Sequence, residues 1–349
     1  MLMEGIFAAV TTPFYTDEKV YYRKVEANMA RYSRSLLAGM LVLGSTGEAA
    51  LLDDAESAEV LRCAAGAARP EKVLIAGIGR ESVKATLALA EVAAESGYDA
   101  VLVRAPSYYR SQMTPGVVAN YFRTVADRSP LPVLLYNVPQ YAGIDLGVET
   151  VAELASHENI IGIKDSMGSV ERIRELVKAT AGARKRTVAV TPVFEAVTGR
   201  MLVAGAQGDL VQVSSAGGGT AVATAPAGTG VKTRMKEVGF QVLCGSGSVA
   251  LEALEAGASG AILAFAACAP GASTEFYMAW KDHDLELARE KQKRIAGPNK
   301  RIVVELGIAG LKYACDFNGY YGGRARLPLV GMTAEQRAEV EVLLANIRN

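Results

Sequence analysis

Asn159-Ile160-Ile161-Gly162-Ile163-Lys164-Asp165-Ser166 is the stretch on which the reading of this chain turns. Three isoleucines around a glycine make a short apolar run that ends in one lysine, and a new helical pattern begins at Ser169. Apolar, β-branched residues on both sides of the run mark a strand buried on both faces, as in a parallel sheet. A lysine at the carboxyl end of such a strand stands where α/β barrels carry their chemistry. Desolvation there disfavours the ammonium form, and a free amine attacks carbonyl carbon. The competing reading is a lysine whose stem crosses apolar surface while its head reaches water at the rim.

The same alternation continues outward in both directions. Strand patterns occupy 5–14, 39–44, 73–79, 100–105 and 132–136 before this stretch, and 240–245 and 260–265 after it. Helix patterns fill 17–37, 53–68, 82–96, 114–127, 147–155, 169–180 and 249–256. Eight strand–helix units in series predict a (β/α)8 TIM barrel of the α/β class, not an open doubly wound sheet. The barrel is expected over 1–272 and a helical C-terminal region over 273–349.

Residues 181–239 break the rhythm, because a connector of about 2–6 residues is normal between a helix and the next strand. Within them 187–191 and 210–213 alternate like strands, whereas 214–220 and 225–230 are Gly-rich and read as turns. A segment leaving a helix and entering a strand emerges at the amino-terminal face of a barrel, away from the catalytic face. It is therefore expected to be a small β-arm used for packing or subunit contact.

The chain has 349 residues, half of them hydrophobic, and Lys+Arg and Asp+Glu are equal at 37 each. With no basic excess, neither nucleic acid nor an anionic membrane is an expected partner. No apolar run reaches the length of a membrane span, and the amino terminus lacks a charged-then-apolar signal. Cys63, Cys244, Cys268 and Cys315 are scattered without CxxC spacing, which fits reduced thiols and a cytoplasmic location. His157 and His283 are the only histidines, so a histidine-held catalytic metal is not expected.

Three further features fall at strand ends. Gly44-Ser45-Thr46-Gly47-Glu48 follows the second strand, and its backbone N–H groups are placed to cradle a carboxylate or phosphate. Many strand–helix turns carry the same residue types for geometry alone. Tyr136 ends the fifth strand, next to the lysine strand, where a phenol can shuttle a proton; a tyrosine merely satisfied at the rim is the alternative. Cys244-Gly245-Ser246-Gly247-Ser248 is a Gly-rich turn, open to a phosphate-binding reading.

Together GSTGE, Tyr108-Tyr109-Arg110, Tyr136-Asn137-Val138-Pro139 and GIKDS, in this order and spacing, resemble the dihydrodipicolinate synthase/N-acetylneuraminate lyase family of class I pyruvate aldolases. In the C-terminal part, Gly297-Pro298-Asn299, Gly307-Ile-Ala-Gly-Leu-Lys312 and Gly319-Tyr-Tyr-Gly-Gly323 look most like its 4-hydroxy-2-oxoglutarate aldolase branch. The resemblance spans the chain except 181–239. It implies that Lys164 forms an imine with the keto carbon of a 2-keto acid, with no metal or other cofactor. It further implies that Thr46, Gly47 and neighbouring N–H groups hold the carboxylate, and that Ser45 links Tyr136 to Tyr108 in a proton relay. Ser166 and the backbones of Gly245 and Ile262 match pocket positions. The tyrosine at the Tyr108 position reaches a neighbouring subunit's site in the family, which implies a homodimer or homotetramer.

Two departures bear on the substrate. Where dihydrodipicolinate synthases place an arginine two residues after the YNVP proline, this chain has Tyr141. Planar two-point recognition of a carboxylate is an arginine speciality, so aspartate semialdehyde becomes the less favoured aldehyde. Arg104 interrupts an apolar strand and either binds a second carboxylate in the pocket or pairs with a helix carboxylate outside the barrel. The expected activity is cleavage or formation of 4-hydroxy-2-oxoglutarate, giving pyruvate plus glyoxylate, or of a related 2-keto-hydroxy acid. The alternatives are dihydrodipicolinate synthase activity and a catalytically silent barrel that binds a ligand.

Overall fold

Strands that are apolar on both faces need both covered, which a sheet closed on itself and sheathed by helices provides. The computed structural model, which describes residues 1–193, 195–207, 210–214, 220–224 and 231–347, has this architecture. In chain order the strands are β1 (Gly5–Ala9), β2 (Gly39–Val42), β3 (Val73–Gly77), β4 (Ala100–Arg104), β5 (Val133–Asn137), β6 (Ile160–Asp165), β7 (Arg186–Val190), β8 (Leu210–Ser214), β9 (Thr220–Thr224), β10 (Arg234–Val238), β11 (Gln241–Cys244) and β12 (Gly260–Leu263). Eight of them close a parallel barrel in the order β1-β12-β11-β6-β5-β4-β3-β2. The expected strands are all present, each within two residues of its predicted place except the first, which ends at Ala9 instead of Phe14.

Alternation along each strand sorts the side chains. Phe7, Leu41, Ile75, Leu102, Leu134 and Leu243 fill the barrel interior. Ile6, Val101, Val103 and Leu135 face outward into the core shared with the helices. Between β5 and β6 the register slips, from Val133 opposite Ile160 to Leu134 opposite Gly162, so Ile161 is an extra residue. Beyond this bulge Tyr136 lies directly opposite Lys164. Bulges of this kind re-aim side chains next to active sites.

Helix ends follow local chemistry. Asp53 and Glu56 form a reciprocal capping box at Asp54–Ala67, and Ser82 and Ser169 cap Val83–Glu95 and Val170–Ala179. The first helix is shorter than its pattern, Tyr22–Tyr32 instead of 17–37. Residues 15–21 are instead drawn into a turn, with Phe14 bridged to Val20.

The inserted segment lies at the amino-terminal mouth. β7 pairs antiparallel with β10, and β8 with β9. Thr198 Oγ1 donates to Pro70 O at 2.5 Å, Gly199 N to Asp99 Oδ1 at 3.2 Å, and Lys236 Nζ pairs with Glu4 at 2.5 Å. Each of those partners lies within the three residues before a barrel strand. Leu2, Val188 and Val190 form a small buried cluster there, and Ala196 packs against both it and the barrel interior. The segment also contains a helix, Gly199–Gln207, that its sequence pattern had not indicated. Of its two Gly-rich runs, 215–219 and 225–230 lie outside the described residues.

Helices Pro270–Lys281, Leu285–Asn299, Gly307–Phe317 and Ala334–Leu344 complete the C-terminal part. Pro298 removes a helical N–H, and directly after it the chain takes π-helical pairing over Lys300–Glu305. All four cysteines are free thiols. Among the described residues no helix is long and apolar enough to cross a membrane.

Candidate active site

Lys164 leaves the carboxyl end of β6 into a cavity of about 300 Å³ at the catalytic mouth of the barrel. The residue is only 4% exposed, so the rim-snorkelling alternative is set aside. Its Nζ is 3.5 Å from the Tyr136 hydroxyl and 4.5 Å from the centre of the Tyr136 ring. Ser45 Oγ lies 3.4 Å from the same hydroxyl. Amine, phenol and alcohol thus form one connected line across β6, β5 and the turn after β2.

That turn is a 3-10 segment over Ser45–Gly47, flanked by two non-glycine residues with positive φ, Leu43 at 59° and Glu48 at 55°. Such conformations cost on the order of 1–3 kcal/mol each and persist only where the surroundings impose them. Gly47 and Glu48 N–H close the turn onto Gly44 O and Ser45 O at 3.0 Å, so the Ser45 and Thr46 N–H groups precede its first internal bonds. Thr46 lines the cavity, while Gly47 sits behind it with its carbonyl held by Thr12 Oγ1 at 2.7 Å.

The Glu48 carboxylate is buried and meets the fully buried Lys312 ammonium at 2.5 Å. Lys312 also donates to Thr12 O at 2.8 Å and Arg324 O at 2.7 Å, and Arg326 N donates to Glu48 Oε2 at 2.8 Å. Burial pulls the Lys312 ammonium below its ordinary value, against the opposing pull of Glu48. The helix carrying Lys312 also supplies Gly307, Ile308 and Leu311 to the cavity wall. Both partners fall within motifs visible in the sequence, but nothing local signals that they meet.

A second network fixes the strand ends. Asp165, beside the lysine, accepts from Asn137 Nδ2 at 2.8 Å, Arg172 Nε at 2.7 Å and Met167 N at 3.0 Å. Arg172 also bonds Leu146 O and pairs with Asp145 at 3.0 Å.

Ser166 and Gly245 line the cavity as expected. A Cβ at Gly245 would meet the backbone atoms Asp165 O and Ser166 Cα at 3.0 Å as well as Ser166 Oγ, so the β11 turn leaves little room for a side chain there. Ile262, expected to present its backbone to the pocket, has its side chain fully buried in the barrel interior and is not among the described cavity-lining residues. Arg104, in register with Tyr136, also lies outside this cavity. It opens on an adjoining cavity of about 720 Å³ that Tyr136 and Ser45 border too. There Nη1 pairs with Glu81 at 2.8 Å and donates to Ala105 O at 3.0 Å, so its charge is already matched. Tyr108 is 80% exposed, packs edge-on against Tyr109 and is not among the described residues lining either cavity.

Residues absent from the sequence-based set also line the cavity, including Gln140, Ser246, Gly247 and Asn299. Ser246 and Gly247 were visible only as a Gly-rich turn, and Asn299 as part of Gly297-Pro298-Asn299.

Comparison with known proteins agrees with this fold. The model of the dihydrodipicolinate synthetase family matches residues 2–224 and 227–347. A 4-hydroxy-tetrahydrodipicolinate synthase of Natronomonas pharaonis is 26% identical over 343 residues, covering 98% of this chain and 97% of that protein. A probable mitochondrial 4-hydroxy-2-oxoglutarate aldolase of Emericella nidulans is 37% identical over 189 residues, covering 52% of this chain and 60% of that protein. A prophage protein of the dihydrodipicolinic acid synthase family from E. coli K12, solved in complex with pyruvate, superposes with a TM-score of 0.78 at 25% identity, covering 99% of both chains.

Proposed function

Because the chain belongs to the dihydrodipicolinate synthetase family, whose members are lyases, we propose that it is a class I aldolase that makes or breaks the carbon–carbon bond of a 4-hydroxy-2-keto acid through an imine on Lys164. The observation that carries the reading is the buried Lys164 amine facing the Tyr136 hydroxyl at 3.5 Å. The amine adds to the C2 carbonyl of pyruvate, water leaves, and the protonated imine becomes an electron sink. Loss of a C3 proton gives an enamine, whose C3 attacks the aldehyde carbon while the aldehyde oxygen takes a proton. Hydrolysis then frees the amine. Cleavage runs the same steps backward: the C4 hydroxyl loses its proton, the C3–C4 bond breaks, and the aldehyde departs from the enamine. No metal or organic cofactor enters these steps.

Tyr136 is the group placed to carry protons to and from the carbinolamine and the C4 oxygen, with Ser45 next in line. Thr46 and the first N–H groups of its turn receive the carboxylate beside C2. The exposed Tyr108 and the cavity bordered by Tyr136 and Ser45 support a homodimer, or a homotetramer built from dimers, in which one copy's tyrosine extends the relay of another.

4-Hydroxy-2-oxoglutarate is the substrate favoured by the C-terminal motifs and by the Emericella relative. The dihydrodipicolinate synthase reading, with aspartate semialdehyde as partner, is supported by the full-length similarity to the Natronomonas protein. Tyr141 in place of an arginine weighs against it. The test is borohydride reduction in the presence of pyruvate followed by mass mapping. A pyruvate adduct on the Lys164 peptide is expected; an adduct elsewhere, or none, would overturn the mechanism.

A further inference from the structure

The buried ammonium of Lys312 takes no part in the imine chemistry. Neither Lys312 nor Thr12 is among the described residues lining either cavity, so neither touches the substrate. An ammonium has three N–H donors, and Lys312 directs them to Thr12 O at 2.8 Å, Glu48 Oε1 at 2.5 Å and Arg324 O at 2.7 Å.

Two of these three partners bracket the turn that receives the carboxylate. Thr12 Oγ1 donates to Gly47 O at 2.7 Å and so fixes the last residue of the Ser45–Gly47 segment. Glu48 is the next residue, held at φ 55°. Its second carboxylate oxygen accepts from Arg326 N at 2.8 Å, so the carboxylate is held on both sides. One ammonium therefore anchors the turn by two routes, through Thr12 to Gly47 and through Glu48. The third bond ties it to the segment that follows its own helix. That segment packs so closely that a Cβ at Gly322 would come within 1.9 Å of Lys312 O.

Stability alone does not explain this arrangement, because a buried ion pair often stabilises no more than apolar residues of the same volume. A left-handed conformation at a non-glycine residue persists only where its surroundings impose it. Here the imposed conformation at Glu48 closes the turn whose Ser45 and Thr46 N–H groups stand ahead of its first internal bonds.

We propose that Lys312 is a positioning residue for the 2-keto acid: by holding Thr12 and Glu48 it sets the Ser45 and Thr46 N–H groups at the geometry that grips the substrate carboxylate. This rests on the imine reading of Lys164 and on the turn as the seat of the carboxylate. Because the carboxylate is gripped alike before and during reaction, Lys312 governs the concentration of 2-keto acid required and not the rate at saturation.

The experiment follows borohydride modification of the Lys164 peptide at graded concentrations of pyruvate and of acetone, which has a methyl group in place of the carboxylate. Wild-type protein is expected to require at least about tenfold less pyruvate than acetone, the scale of one charge-assisted hydrogen bond. The variant is Glu48→Gln combined with Lys312→Met, which leaves no unpaired charge buried. Its half-saturating pyruvate concentration should rise about tenfold on the same scale, with the maximal rate and the acetone curve close to wild type. Thr12→Val removes the bond to Gly47 O and leaves the ammonium in place. It should shift pyruvate in the same direction, and it decides the matter if the double variant does not fold. A folded variant that keeps the wild-type preference, or that loses both ketones alike, shows that Lys312 holds only the fold and overturns the proposal. Wild-type protein modified equally by both ketones overturns the cradle and this inference with it, while the imine stands. No modification by either ketone overturns the imine reading itself.

Discussion

The Tyr136 hydroxyl lies between the Lys164 amine, at 3.5 Å, and the Ser45 hydroxyl, at 3.4 Å. Its position follows from strand register, because Tyr136 and Lys164 are directly paired beyond the β5–β6 bulge. A phenol held there contributes through proton transfer, an effect of about 10²–10⁴-fold. Tyr136→Phe should therefore lower kcat by about 100-fold or more while Lys164 still traps pyruvate slowly. Ser45→Ala, one step further from the amine, should cost less. Single-turnover rates of imine formation check both; equal losses in the two variants would contradict the order of the relay.

The Glu48–Lys312 pair joins the cradle turn to the helix that walls the cavity. Removing one member of a buried ion pair leaves an uncompensated charge and costs about 3–5 kcal/mol. That is a large share of a typical net stability of about 5–15 kcal/mol. Lys312→Met should accordingly lose several kcal/mol in urea unfolding. Glu48→Gln combined with Lys312→Met should recover much of it, since no bare charge then remains. A double variant no more stable than the single one would show that the hydrogen bonds of Lys312 to Thr12 O and Arg324 O, not the charge pairing, hold the region.

The barrel was legible because each strand is bounded by its own punctuation and buried on both faces, a pattern that chain-local residues declare. Lys164 and Tyr136 were legible as neighbours because adjacent strand ends bring them to one mouth, whereas the link to Ser45 came only with the family resemblance. The far side of the cavity was not legible. Asn299 approaches Gly247 across the fold, just before the π-helical turn that follows Pro298. Arg104 shows the same limit: its strand position could be read, but Glu81, which takes up its charge, could not. Helix Gly199–Gln207 was missed because it is short and lies inside a Gly-rich insertion, and tertiary contacts at its start, such as Gly199 N to Asp99, anchor it.

Glu81 offers a pH-dependent test of the loop that carries Tyr108. Burial raises its carboxyl, but the N–H groups of Tyr108 and Ser107 and the Arg104 guanidinium outweigh this and hold it below the ordinary 4.5. A carboxyl lowered by folding stabilises fully above its unfolded value and loses that contribution as pH falls through the folded one. Backbone hydrogen exchange at 107–112, corrected for intrinsic pH dependence, should therefore rise only below about pH 4.5. Glu81→Gln should show the faster exchange already at neutral pH. Unchanged protection in that variant would mean the loop is held by other contacts.

The inserted segment should matter for stability and not for chemistry. Arg200 bonds the carbonyls of Lys72 and Ala68 and lies 3.9 Å from Asp99. Burial raises the Asp99 carboxyl, opposed by the Leu74 and Gly199 N–H groups and by Arg200. Arg200→Ala leaves those groups short of a partner, an effect of about 1–3 kcal/mol. Thermal unfolding should shift down accordingly, while the rate of pyruvate trapping at Lys164, at the opposite mouth, stays unchanged. A variant that unfolds normally but traps pyruvate slowly would place the insertion in the catalytic cycle.

Tyr141 sits in the short helix Pro139–Ala142 and borders the cavity at its mouth, where it is 65% exposed. An arginine there would bring the planar, two-point carboxylate donor that the described lining lacks. Because the side chain is exposed, the substitution removes little packing, and its effect should appear in substrate choice instead of folding. Tyr141→Arg should raise kcat/KM for aspartate semialdehyde relative to glyoxylate by about tenfold, the scale of one charge-assisted hydrogen-bonded pair. The longer semialdehyde benefits more because its carboxylate reaches further from the reacting carbon, toward the mouth where residue 141 lies. Kinetics with both aldehydes at saturating pyruvate measure this. An unchanged ratio would mean that residue 141 does not meet the aldehyde's far end, and the substrate argument drawn from the missing arginine would fall.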